Sequence, residues 1–149
     1  MKRIFALLVM LSVLCGYAIS ANAVLIDRGG GMIYSTDLNV TWLQDANYAR
    51  TSGYDADGLM NWNEAMAWAG NLVYGGYDDW RLPTHLTVDT SELRHLTNVE
   101  LGNPTSPINT GLFLNVQYGP YGDIAYWTGT EGSYDGDTTR AWRVLFDCG

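Results

Sequence analysis

The 149-residue sequence predicts an α+β fold in which two short helices and an antiparallel sheet are joined by long irregular loops. Three observations predict it. Apolar residues recur at helical spacing across one segment, 62 to 72, behind a capping pattern. After residue 23 the other apolar runs are only three to six residues long and are punctuated by Gly, Asn and Asp, as in hairpins. The stretch from Gly102 to Gly122 holds three of the four prolines and reads as an irregular connection.

Val24 to Asp27 and Met32 to Tyr34 flank Gly29-Gly30-Gly31, the composition of a hairpin whose turn needs positive φ. Asp37-Leu38-Asn39 then turns the chain into Val40-Thr41-Trp42-Leu43, another short strand. Gln44 to Met60 is rich in Asp, Asn, Gly and Ser and reads as a loop anchored by Tyr48 and Tyr54. Trp62, Ala65, Met66, Ala69, Leu72 and Val73 share a helical face, and Asn61 with Glu64 makes a capping box in front of them. Gly75-Gly76 ends that helix, because glycine tolerates the left-handed cap conformation. Tyr77 to Thr84 is extended, since the ring of Pro83 excludes the α region for Leu82. Asp89 and Glu92 offer a second capping box, opening a short helix in which Leu93 and Leu96 share a face. Ile124 to Trp127 and Ala141 to Phe146 read as strands, the latter with Trp142, Val144 and Phe146 on its apolar side.

Residues 1 to 23 read as a secretory signal peptide: Lys2-Arg3, the apolar run Ile4 to Leu14, then Ala21-Asn22-Ala23 before the cleavage point. The run is too short for a stable membrane span, so no span is expected once the signal is removed and the expected location is secreted or periplasmic. Leu14 before Cys15 departs from a lipidation pattern, and cleavage leaves Cys148 as the sole cysteine, without an intramolecular disulfide. Residues 24 to 149 form one domain with 6 basic against 16 acidic groups, a net charge of −10. Such a surface repels phosphate backbones, which argues against nucleic acid as a partner.

The run Trp80-Arg81-Leu82-Pro83-Thr84, followed by Glu92-Leu93 and Leu96, resembles the C-terminal domain family of the Legionella collagen-like adhesin. Further landmarks of that family stand in order: Gly31 to Tyr34, Asp37 to Trp42, Trp62 with Ala65, Gly76 to Trp80, Tyr126 to Glu131, and Ala141-Trp142. The resemblance covers nearly all of the chain after the signal. It implies a C-type-lectin-like fold and a non-enzymatic binding or adhesion module. The Arg-Leu-Pro-Thr stretch is also similar to one in sulfatase-modifying domains, but the Cys pair that their chemistry uses is missing here. Related chains run on past the strand of Trp142 to a last strand, so a closing strand is expected to be lacking and pairing between chains, hence oligomers, is expected at the open edge.

No residue set announces a reaction. Glu92-Leu93-Arg94-His95 matches a Glu-x-x-His metal motif, with His85 and Asp89 nearby, but di-metal bundles need two such motifs on long helices. Ser91 and His95 lack an orienting acid. Asp55, Asp57 and Glu64 fall at spacings of a calcium loop; position 1 is Gly53, which has no oxygen ligand, and turn plus helix cap accounts for the same letters. No cofactor is required, with calcium the one candidate. Arg81 reads as a buried organiser of its loop, pairing bidentately with Asp78, Asp79 or Glu92. Trp42, Trp62 and Trp142 fall on apolar stripes. That leaves Trp68, Tyr54, Tyr77, Tyr118, Tyr121 and Tyr134 as aromatics able to stack on sugar rings. The expected partner is a neutral extracellular polysaccharide, because the acidic surface disfavours an anionic one; the alternatives are a structural matrix role without a small ligand, or an enzyme of the sulfatase-modifying type. Mass spectrometry of the exported protein is expected to find Val24 as its first residue; an intact Met1 or a lipid on Cys15 would contradict the signal reading.

Overall fold

The computed structural model describes residues 24–103, 108–117, 125–134 and 137–146. The signal segment, Tyr118, Tyr121 and Cys148 lie outside them. Among these residues five strands make two antiparallel sheets rather than the single one expected. β1 (Leu25–Gly29), β2 (Met32–Ser35) and β3 (Val40–Leu43) form the first, with β2 central; β4 (Ala125–Tyr134) and β5 (Asp137–Leu145) form the second. Between them lie α1 (Tyr48–Thr51), α2 (Trp62–Asn71) and α3 (Glu92–His95), the last running directly into a π-helix, Leu96–Glu100. No helix among the described residues is long and apolar enough to cross a membrane.

The first hairpin turns on Gly29, Gly30 and Gly31, all at positive φ (72, 61 and 76°), as the glycine run predicts. β2 alternates half-buried Met32 and Tyr34 with fully buried Ile33 and Ser35, so one face of this sheet is committed to the core. The segment 44 to 60, expected to be pure loop, contains the single turn α1, which lets the Tyr48 ring meet Tyr74 edge-on at 4.9 Å. Tyr54 is no anchor: it is 60% exposed.

In α2, Asn61 Oδ1 accepts from the Glu64 amide and a Glu64 carboxylate oxygen accepts from the Asn61 amide, each at 3.0 Å, closing the predicted capping box. The far end differs from expectation. The helix stops at Asn71, and Gly75-Gly76 form a separate turn closed by reciprocal bonds between the Tyr74 and Tyr77 backbones at 2.9 and 3.0 Å. Met66 and Val73 are exposed, so the buried stripe of α2 shrinks to Ala65 and Ala69. Two indoles bolt the helix region to β4: Trp62 Nε1 donates to the Thr128 carbonyl and Trp127 Nε1 to the Met60 carbonyl, both at 2.8 Å.

The cap of α3 is Ser91, whose hydroxyl accepts from the Arg94 amide at 3.4 Å, not Asp89. Glu92 is drawn elsewhere, as described below. Leu93 and Leu96 are both buried, and the widened turn continues with the Leu101 amide reaching the Leu96 carbonyl at 2.9 Å. The two sheets share a core instead of an edge: Ile33, Leu93, Leu96, Leu101, Phe113, Val144 and Phe146 cluster, with Leu25, Trp42 and Tyr126 packed against them. Alternation on β5 holds for Val144 and runs on to Phe146 just past the strand, but fails at Trp142, which is 48% exposed and rests its ring on buried His85 at 4.8 Å.

Gly29 and Gly31 separate backbone strain from crowding. An alanine Cβ at 29 meets nothing within 4 Å, whereas at 31 it would overlap the Tyr74 hydroxyl, and Tyr74 is held by the Tyr48 and Trp80 rings. Gly29→Ala is expected to cost about 1 kcal/mol for its positive φ. Gly31→Ala should cost roughly 1 to 3 kcal/mol more for overpacking, read as the difference between two urea unfolding curves; equal midpoints would remove Tyr74 as a fixed wall.

Candidate functional site

The chain from Tyr77 to His85 has no regular structure of its own and is held by its neighbours. Its extended form leaves its backbone groups to be satisfied from outside. Trp80 Nε1 donates to the Tyr74 carbonyl at 3.2 Å, the Gly129 amide to the Pro83 carbonyl at 2.8 Å, and the His85 amide to Thr130 Oγ1 at 2.9 Å. The segment is thereby fastened along β4.

Its other fastening is Glu92. Arg81 Nη1 and Nη2 each reach one carboxylate oxygen at 2.8 Å, Arg81 Nη1 also donates to the Leu82 carbonyl at 3.1 Å, and the Thr84 amide donates to Glu92 Oε2 at 2.7 Å. In return the Glu92 amide donates to the Thr84 carbonyl at 3.1 Å. Of the three acids within sequence reach of Arg81, Glu92 is the partner. The expectation of a buried Arg81 is corrected: its side chain is 53% exposed, and the 16% exposed Glu92 is the more enclosed partner. Burial pushes the Glu92 carboxyl up, but the hydrogen bonds and charge of Arg81 and the Thr84 amide outweigh it and leave it below the usual value of 4.5. The Glu92 hydrogen bond raises the Arg81 guanidinium in turn, against partial burial.

This clasp forms one end of a groove of about 330 Å³ between β3 and the extended segment. Arg28, Asn39, Thr41 and Trp42 line one side; Tyr77, Asp79, Trp80 and Pro83 line the other. Arg28 lies over the Tyr34 ring, 4.1 Å from its centroid, and donates to Thr41 Oγ1 at 3.2 Å, while the Tyr34 hydroxyl donates to Asn39 Oδ1 at 2.8 Å. Asn39 itself sits at φ +52°, the left-handed region that Asn tolerates. Two cations, two acids and three aromatic rings thus share one depression, which suits a polar ligand with a flat apolar face.

The aromatics singled out from sequence do not converge. Tyr77, 52% exposed, lies on the groove. Tyr54 is elsewhere, its ring 6.4 Å from half-buried Trp68, and Trp68 lines a separate apolar pocket. Tyr118 and Tyr121 fall outside the described residues, and Tyr134 is described only as backbone at the end of β4. Arg28, Asn39 and Thr41 were not singled out, because only the hairpin brings them opposite Tyr77.

The candidate calcium carboxylates turn inward to amides. Asp55 Oδ1 accepts from Asp57 and Gly58 at 3.0 and 2.6 Å, bonds that lower its carboxyl, Asp57 accepts from Leu59 at 2.8 Å, and Glu64 is taken by the capping box. Among the described residues no group of three or more His, Cys, Asp or Glu is placed to hold a metal. The Glu-x-x-His pair diverges too, with Glu92 on Arg81 and His95 Nε2 3.4 Å from Asp37.

The sequence model of the Lcl C-terminal domain family matches residues 31–149. No curated protein and no solved structure was found to match the chain.

Glu92's lowered carboxyl fixes the sign of a pH effect: its contribution is full above the unfolded value near 4.5 and is lost as pH falls through the folded value. Arg81→Ala is expected to cost about 1 kcal/mol at neutral pH, discounted for exposure, and Glu92→Ala about 2 because the Thr84 amide also loses its acceptor. The gap between parent and Arg81→Ala should shrink below pH 4.5 in thermal melts; a gap independent of pH would mean the guanidinium acts by packing alone.

Proposed function

From the premise that this chain belongs to the Lcl C-terminal domain family, which implies an adhesin-like extracellular module, we propose that it binds a neutral polysaccharide along the groove beside β3. In this reading the domain is of C-type-lectin-like fold, is exported by residues 1 to 23 and carries out no reaction. The observation that carries it is the lining of the groove. The rings of Tyr77, Trp80 and Trp42 offer flat faces for pyranose C–H groups, and Asn39, Thr41 and Asp79 offer donors and acceptors for hydroxyls. Arg28 and Arg81 do not make the groove an anion trap, since one is held over Tyr34 and the other is neutralised by Glu92. Among the described lining residues no nucleophile stands with a base beside it, which favours holding a ligand over transforming one. Binding through so few rings is weak per site and gains strength where several copies face a repeating polymer.

Affinity electrophoresis through neutral polysaccharide gels, paired with a heparin column at low salt, tests the reading. Retention is expected on at least one neutral glycan and none on heparin, and Tyr77→Ala should weaken retention about tenfold, the scale of one lost ring contact of up to 1.5 kcal/mol. Strong salt-sensitive heparin binding would overturn the ligand class. Silence on every glycan would favour a purely structural role.

A further inference from the structure

We propose that the half-open apolar pocket between α2 and the β4 side of the core binds a small, flat, uncharged aromatic molecule. The pocket measures about 230 Å³ and is walled chiefly by apolar side chains, among them Trp42, Trp68, Phe113, Tyr126 and Trp127. Protein interiors pack at crystal-like density, and a closed apolar void of about 150 Å³ already takes benzene, so an apolar pocket of this size has room for such a ring. The buried face of α2 presents only Ala65 and Ala69 to this space, where a longer side chain would intrude on it.

Three features define the occupant. Eight aromatic residues stand in the wall, so a flat ring finds faces and edges to pack on. The charged groups on the described lining are already spent: Asp45 accepts from the Asn47 amide at 2.9 Å and from Asn115 Nδ2 at 2.9 Å, and Arg81 is held by Glu92. A charged guest would therefore lose its hydration without gaining a partner, which selects a neutral one. The volume admits one ring or a fused pair, with an entrance beside Leu59, which is 66% exposed.

Trp42 and Trp80 line both this pocket and the groove, so the two spaces are neighbours, yet the proposal does not depend on sugar binding. The Trp127 and Trp80 indole N–H groups are satisfied by backbone carbonyls, whereas Trp42 Nε1 is buried without a partner.

The test titrates fluorobenzene and, separately, phenol into the exported chain, followed by ¹⁹F or ¹H NMR and by thermal melts. Saturable shifts and a rise in melting temperature are expected for both, since a guest that binds only the folded state stabilises it by mass action. Ala69→Leu should weaken binding at least tenfold while the chain stays folded by circular dichroism; Tyr77→Ala, in the groove, should leave it unchanged. If Ala69→Leu does not fold, Ala69→Val makes the same comparison with a smaller intrusion. Absence of saturable binding by the parent up to the solubility of fluorobenzene and phenol would overturn the proposal, as it would if the chain itself or a partner side chain fills the space. Equal binding by the parent and the Ala69 variant would overturn it too.

Discussion

The carboxylate of Glu92 is the point on which the arrangement turns. It accepts three hydrogen bonds, two from Arg81 and one from the Thr84 amide, while its own amide returns a bond to the Thr84 carbonyl. One residue at the first position of α3 thereby fixes where the extended segment lies beside the start of the helix, at a helix end where the dipole also favours negative charge. Because that segment is fastened to β4 at Gly129 and Thr130, Glu92 in effect sets the distance between the second sheet and α3. The groove inherits its far wall from the same constraint, since Tyr77, Asp79, Trp80 and Pro83 are carried on the clasped chain.

Such reliance on polar fastening follows from where the apolar side chains are spent. The main cluster draws on β2, α3, the π-helix, β5 and Phe146 just past it, with Leu101 and Phe113 from the connection, and α2 adds to the core only the small side chains Ala65 and Ala69. That helix is tied instead by its capping box and by the indole bonds of Trp62 and Trp127 to main-chain carbonyls. Hydrogen bonds fix direction without requiring that the space behind them be filled, so a helix held this way can stand off from the core and leave a cavity. The π-helix works in the opposite sense: its widened turn keeps Leu96, Thr97 and Leu101 all buried, so the short α3 still delivers a continuous apolar surface.

What was legible in the sequence was local. The capping box at Asn61 and Glu64 and the glycine turn at 29 to 31 involve groups within three residues of one another, so their chemistry is readable before any tertiary structure exists. The second helix shows where locality fails. Asp89 with Glu92 has the letters of a cap, but a charged partner eleven residues back outbids an exposed helix end, and Ser91 takes over the capping. Trp142 fails for a related reason: period-two alternation assigns a face, but not how fully that face is covered at each residue. The groove was half visible, through Tyr77 and the clasp residues; its other half is assembled by hairpin pairing, which sets Thr41 against Tyr34 and brings Arg28 over that ring.

Charge bears on the ligand through local balance as well as through the total. The −10 of residues 24 to 149 is spread over the chain, and at physiological ionic strength acids beyond about 8 Å are largely screened at any one surface point. Within the groove stand Arg28, Arg81, Asp79 and Glu92, two of each sign. Arg81 and Glu92 cancel as an ion pair, and Arg28 lies against the electron-rich face of Tyr34, its guanidinium bonded to Thr41. An anion approaching the groove would have to break one of these engagements to gain a cation, and Asp79 would oppose it. A polyol needs no such exchange: its hydroxyls can donate to Asp79 and accept from Asn39 while its carbon face lies on Tyr77 or Trp80. The charge balance and the aromatic lining are therefore two independent physical supports for the neutral, hydroxylated ligand proposed above.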